Sequence, residues 1–256
     1  VGTRDGVTGF QLDVKVGDGA FLTDPELSSV LARTMVDLAD ARGVRTVALE
    51  TAMDRPLGVA VGNALETDEA IATLKGGGPP DFRALVLRQA AEMAALALGG
   101  EVGAWETRAA EALDSGAAFA RFLRNVEAQG GDPGACERPG PIAPAPEIAD
   151  VVAGAEGRVL EVAPRALGEG VVTLGGGRAR LGDSIDRSVG FEVFVRPGDR
   201  GDVGDPIGRV HVSEPGRVDE AIAILRGAVT VGAGEPASLP LVIDRVVPQP
   251  ETASGQ

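Results

Sequence analysis

The stretch from Gly9 to Leu49 restricts the fold more than any other part of this chain. Gly9-Phe10-Gln11-Leu12-Asp13-Val14-Lys15 alternates like a strand, and Gly17 and Gly19 follow it as a turn. Asp24-Pro25 then offers an N-cap and a proline at the first helical position. Leu27, Val30, Leu31, Thr34, Met35 and Leu38 recur at helical spacing, Gly43 closes the segment, and Val44 to Leu49 is a second apolar run of strand length. Strand, helix and strand in some forty residues predict a βαβ unit, with parallel strands and a right-handed crossover.

Downstream the grammar changes twice. From Val61 to Gly130 the spacing is helical, broken at Gly76-Gly77-Gly78-Pro79-Pro80, at Gly99-Gly100 and near Gly116, with a helix following Asp81. Residues 131–146 concentrate Gly and Pro and read as a linker. After Glu147 come short strands, at Ile148–Val152, Gly157–Val162, Val189–Val195 and Gly208–Val212, then a helix from Val218 to Leu225 and a last strand from Leu239 to Val247. The expectation is an α/β chain: a partial mixed or parallel sheet with flanking helices over 1–130, then a small α+β module over 147–247. The Gly-Asp turns between Arg196 and Val210 give that module the cadence of a barrel-sandwich. No lysine follows Lys75, so a swinging-arm carrier function is excluded. Residues 248–256 read as a polar, frayed tail.

Composition removes several function classes. A net charge of −14 opposes nucleic-acid or anionic-membrane partners, because a phosphate backbone is bound by concentrated positive charge. Cys136 is the one cysteine, so neither an intrachain disulfide nor a cysteine metal cluster can form. His211 is the one histidine and sits in an alternating strand-like run, where it reads as one face of a strand rather than as a catalytic base. The sequence has no apolar run of transmembrane length and no basic-then-apolar start, which reads as a cytoplasmic protein.

Three ordered stretches carry an identity. Leu12-Asp13-Val14-Lys15-Val16-Gly17-Asp18-Gly19-Ala20-Phe21 is the first. The second runs from Thr51-Ala52-Met53-Asp54-Arg55-Pro56-Leu57-Gly58 through Val61-Gly62-Asn63-Ala64-Leu65-Glu66 to Lys75-Gly76. The third combines Gly175-Gly176-Gly177-Arg178, Asp183-Ser184-Ile185-Asp186, Val189-Gly190-Phe191 and Gly204-Asp205-Pro206 with Val210-His211. Together they resemble the DVKVGxGAF strand-turn, the TxMDxPLGxxVGNxLE segment and the C-terminal module of the thymidine/pyrimidine-nucleoside phosphorylases, from about Gly9 to Val247.

The resemblance implies a pentosyltransferase that cleaves a pyrimidine nucleoside with inorganic phosphate, giving free base and a pentose 1-phosphate in nucleoside salvage. It implies phosphate as co-substrate, no organic cofactor, and a homodimer. The family's groups for phosphate and base precede the DVKVG strand, in a Lys/Ser segment, a GGTxDKLE-like signature and an Arg/Ser/Lys set. This sequence has no GGT-x-D, K-x-S or Ser-x-x-x-Lys. No catalytic residue is identified in it, and the expectation is a truncated or split chain that is inactive by itself. Rival readings are a non-catalytic scaffold or interaction module, one half of a split phosphorylase, and a phosphorylase of nucleoside monophosphates.

One implied ligand set does map onto this chain. In the pyrimidine-nucleoside branch a potassium ion is held by backbone oxygens of the PLGxxVG segment and by a following Glu. These correspond to the carbonyls of Leu57 and Ala60 and the carboxylate of Glu69. Hard monovalent cations take oxygen ligands. Asp13 and Lys15 lie at the carboxyl end of the first strand, where ligand sites of α/β sheets gather, and alternation puts both on one face. Their readings are an ion pair and a substrate-proximal pair on the pentose-phosphate side. Gly175-Gly176-Gly177-Arg178 reads as a phosphate cradle or as a flexible connection.

Overall fold

The computed structural model describes residues 9–178, 180–236 and 238–249. The sequence-expected βαβ unit is present. β1 (Gly9–Val16) and β2 (Arg45–Ala52) pair in parallel, Gly9 opposite Arg45 and Val16 opposite Ala52, and α1 (Pro25–Asp40) connects them. Asp24 caps α1 by accepting the Glu26 N–H at 2.9 Å. α1 packs on the sheet through small residues: Ser28, Ala32 and Val36 are its buried positions, against Val14 and Ala48. The row that the spacing singles out is therefore not the buried one. Leu27, Val30, Leu31, Met35 and Leu38 stay between 37% and 61% exposed.

A two-residue strand, β3 (Ala60–Val61), leads into five helices: α2 (Asn63–Leu74), α3 (Pro80–Leu98), α4 (Val102–Asp114), α5 (Ala117–Ala128) and α6 (Pro133–Glu137). α6 lies inside the stretch read as linker. α3 starts at Pro80, so Asp81 sits in its first turn rather than ahead of it. This helix covers the face of β1 and β2 opposite α1: Gln89 reaches Asp13, whereas Val14 points to α1.

The remaining strands are β4 (Glu147–Val152), β5 (Gly157–Val162), β6 (Gly190–Val193), β7 (Arg200–Gly201), β8 (Pro206–Val212), β9 (Val229–Gly232) and β10 (Val242–Val246), with helices α7 (Pro164–Thr173) and α8 (Val218–Ala228) among them. They form an antiparallel sheet β3-β6-β8-β4 and a second sheet β7-β5-β9. The core between them centres on Phe191, Leu167, Leu225, Val193 and Val210, all fully buried.

The two sequence stretches exchange strands. β3, from the first, pairs with β6; β10, expected with the small module, pairs antiparallel with β2 and completes the sheet β1-β2-β10. The β3–β6 approach depends on glycine. A Cβ at Gly190 (φ +158°) would meet the Val61 carbonyl, and one at Gly62 (φ +144°) would lie 2.7 Å from the Val189 oxygen. Among the described residues no helix is long and apolar enough to cross a membrane.

Candidate functional site

The turn from β2 into β3 is held from three sides. Asp54 and Arg55 pair at 2.6 Å, and both grip Leu239 on the way into β10: Asp54 accepts its N–H at 2.7 Å, and Arg55 donates to its carbonyl at 3.2 Å. Gly58 then takes φ +72°, a left-handed conformation that favours glycine. A Cβ there would collide with Oε2 of Glu69.

Glu69, in the middle of α2, turns back on this segment. Its Oε1 accepts the N–H groups of Val59 at 2.8 Å and Ala60 at 3.0 Å. Asp81 approaches the same turn, accepting the Gly58 N–H at 3.4 Å and meeting Arg196 at 3.1 Å. Burial pushes the Glu69 carboxyl above its ordinary range; the two N–H bonds oppose that, and the Asp81 and Glu66 carboxylates add to it.

The structure thus brings Leu57, Ala60 and Glu69 to one turn. The Val193 N–H donates to the Val59 carbonyl while Ala60 stands opposite Glu192, so the backbone groups of Ala60 face away from β6, on the side of Glu69. Two carboxylates, Glu69 and the Arg196-paired Asp81, thus approach one turn, beside the Ala60 backbone groups that β6 leaves free. Asp81 was not singled out from the sequence. Its distance in the chain gives no local signal, and its role as a helix-start residue explained it fully.

Asp13 and Lys15 do form an ion pair, at 2.8 Å. Thr51, opposite Lys15 in the parallel register, donates its hydroxyl to Asp13 and accepts from the Lys15 ammonium at 3.0 Å. Gln89 of α3 donates to the other Asp13 oxygen at 2.8 Å. Asp13 thereby has three partners, and Lys15, about one-third exposed, is held at the carboxyl end of the two parallel strands. Asp81 and Gln89 both come from α3. Eight residues of helix separate them, so the Glu69 turn and the Lys15 cluster lie roughly 12 Å apart along that axis.

A cavity of about 620 Å³ opens beside α2, lined by Glu69, Asp68, Lys75, Glu192, His211 and Ile142 among others; neither Asp13 nor Lys15 lines it. His211 lies on β8 as the strand reading expects, and its Nε2 is 2.9 Å from Glu192 on β6. That hydrogen bond is the main reason the Glu192 carboxyl is held below its ordinary range. Lys75 donates to the Cys136 carbonyl at 2.8 Å and lies 4.8 Å above the Phe119 ring. Cys136 is buried and free. The Gly175–Gly177 loop closes α7: the Gly175 N–H bonds to the Val172 carbonyl, and the Gly176 carbonyl accepts from Asn63 at 2.7 Å.

Residues 159–232 match the model of the pyrimidine nucleoside phosphorylase C-terminal domain. Over 95% of its length the chain is 42% identical to the thymidine phosphorylase of Mycobacterium tuberculosis, covering 55% of that protein. It is 38% identical to the thymidine phosphorylase of Rhizobium meliloti over 94% of this chain and 56% of the relative. For that of Burkholderia cenocepacia the values are 41%, 90% and 53%. The chain therefore spans about half the length of the curated relatives it matches. By motif, fold and similarity along nearly all of its residues, the chain is similar to the C-terminal part of the thymidine/pyrimidine-nucleoside phosphorylases.

Proposed function

We propose that this chain is the C-terminal part of a phosphate-dependent pentosyltransferase that converts thymidine or a related pyrimidine nucleoside to free base and (deoxy)ribose 1-phosphate. The observation that carries this reading is the match along nearly the whole chain to proteins named thymidine phosphorylase. Phosphate is the co-substrate, and no organic cofactor takes part. The reaction leaves positive character on the sugar and negative charge on the departing base, so preorganised donors supply most of the acceleration.

In this reading the chain contributes scaffold and charge rather than the reacting groups. Lys15 presents its ammonium at the carboxyl end of β1, and the Asp13–Thr51–Gln89 network holds it there; its proposed task is to order the pentose-phosphate side of the cleft. Potassium is proposed at the Leu57 and Ala60 carbonyls and the Glu69 carboxylate. Bound there, it would neutralise the charge shared by Glu69 and Asp81 and fix the turn. By itself the 256-residue chain is expected to be inactive. The proposed setting is the cytoplasm, which suits a free, unpaired Cys136, and the proposed assembly is the family homodimer.

The reading is tested by supplying the rest of the family's polypeptide through co-expression and following both products. Release of thymine or uracil that consumes inorganic phosphate mole for mole supports phosphorolysis. Release that is independent of phosphate would mean hydrolysis and would end this assignment. Activity confined to nucleoside 5′-monophosphates would replace the substrate.

A further inference from the structure

The stretch read from the sequence as a linker spans a hollow. Cys136 in α6 and Ala145 just ahead of β4 are at most 9% exposed, and between them every residue except Ala143 is exposed. Glu137 to Ile142 line the cavity of about 620 Å³ together with α2, Glu192 and His211. These residues therefore face open space instead of resting on packed side chains.

Few bonds hold the span. Among the described residues, the one hydrogen bond made by residues 139–144 runs from the Ile142 N–H to Asp68 of α2, 3.2 Å from each carboxylate oxygen. The near end is fixed separately. Lys75, one residue past α2, donates to the Cys136 carbonyl at 2.8 Å, and the Arg138 N–H closes α6 on the Gly134 carbonyl at 3.1 Å. Beyond that point Pro139, Pro141 and Pro144 fix φ and stiffen the chain, so it moves as a piece. Gly140, between the first two, takes φ +91°, a conformation that favours glycine. A stretch with few buried contacts and one backbone hydrogen bond opens locally at far less cost than the whole fold.

We propose that residues 139–144 are a strap that lifts from the cavity as a unit, with the Asp68–Ile142 contact as its latch. Its opening controls the access of small molecules to the Glu192–His211 pair. The chain carries its own reporters of that motion. Its one cysteine and its one histidine both line the cavity, and with the strap closed Cys136 and His211 are each 8% exposed.

The test is the rate at which the purified 256-residue chain reacts with a bulky aromatic disulfide at Cys136 and with diethyl pyrocarbonate at His211. Both reactions should be far slower than in the unfolded chain, and insensitive to low denaturant. Asp68→Ala removes the latch and should speed both about tenfold, the lower end for a hydrogen bond to a charged group. Asp68→Asn keeps an uncharged acceptor and should fall between. Gly140→Ala strains the closed strap at φ +91° without touching Asp68, and should also speed both. All three variants should keep the helical circular dichroism of the wild type. Three results would overturn the proposal. Wild-type labelling as fast as in the unfolded chain would mean that no closed state exists. Unchanged cysteine or histidine rates in Asp68→Ala would remove the latch or the control of access. A wild-type rate that climbs with denaturant in step with global unfolding would mean that the cavity is reached only by unfolding.

Discussion

Arg245 of β10 grips the fully buried carboxylate of Glu92 on α3 with two guanidinium nitrogens, at 2.8 and 2.9 Å. Arg88, one turn earlier on α3, also reaches Oε1 of that carboxylate, at 2.9 Å. This contact fastens the last strand of the chain to the first helical layer, across 153 positions of sequence.

Removing Arg245 should leave a buried charge with only one partner. Arg245→Ala is expected to cost about 2–3 kcal/mol, below the usual figure for a broken buried pair because Arg245 is partly exposed. Burial works to raise the Glu92 pKa, but the hydrogen bonds from Arg245 and Arg88 outweigh it, so it lies below the ordinary 4.5. A lowered carboxylate pKa contributes stability that is complete above 4.5 and is lost as pH falls through the folded value. Denaturant titrations of wild type and Arg245→Ala should therefore converge in acid and differ most above pH 5. A constant difference at all pH values would contradict this assignment.

Glu50 is expected to behave in the opposite way. It is 3% exposed; one oxygen accepts from Ser29 at 3.0 Å, and the other has no hydrogen-bond partner among the described residues. Glu50→Leu removes an unsatisfied buried acceptor and fills the same space, so the chain should gain about 1 kcal/mol. A loss of stability in chemical denaturation would show that the carboxylate has a partner the present fold does not account for.

The turn at Gly58 links backbone geometry to the proposed cation. Gly58→Ala must place a side chain at φ +72° and against Glu69 Oε2, which is expected to cost about 1–3 kcal/mol. Wild type should melt at a higher temperature in potassium chloride than in lithium chloride of equal concentration, because ligand binding stabilises by mass action. Gly58→Ala and Glu69→Gln should both lose that difference. Equal melting of wild type in the two salts would remove potassium from this site.

The same turn shows what the sequence makes legible. The Asp24 cap, the βαβ unit and the strand position of His211 follow from local patterns, and the structure has all three. Pairings set at long range left no such mark. Nothing near Val242–Val246 announces that β10 joins β2, and nothing near Asp81 announces that it meets Gly58. α7 begins at Pro164 amid short strands and was not read as a helix. For α1, periodicity marked the large apolar row, yet close helix-on-sheet packing buried the small one. Leu57, Ala60 and Glu69 were reached through resemblance, and the fold adds the reason they meet: Glu69 bonds to the two amides that follow Gly58.

Lys15 carries the proposed contribution of β1. In the completed enzyme, Lys15→Ala should raise the KM for phosphate about tenfold, roughly the value of one charge-assisted hydrogen bond. Lys15→Arg should recover part of that loss. Unchanged phosphate kinetics in Lys15→Ala would leave the residue as a structural ion pair with Asp13.

The central claim, that this chain holds one part of a phosphorolytic enzyme whose reacting groups lie elsewhere in the family's polypeptide, is tested most directly by one assay. Thymidine and uridine are incubated with the mass-verified 256-residue chain in potassium phosphate, and free base is measured with and without the co-expressed remaining portion. The account expects no base release from the chain alone and phosphate-dependent release from the complex. Ordinary turnover by the chain alone would contradict it, because the reacting groups would then have to lie within these residues.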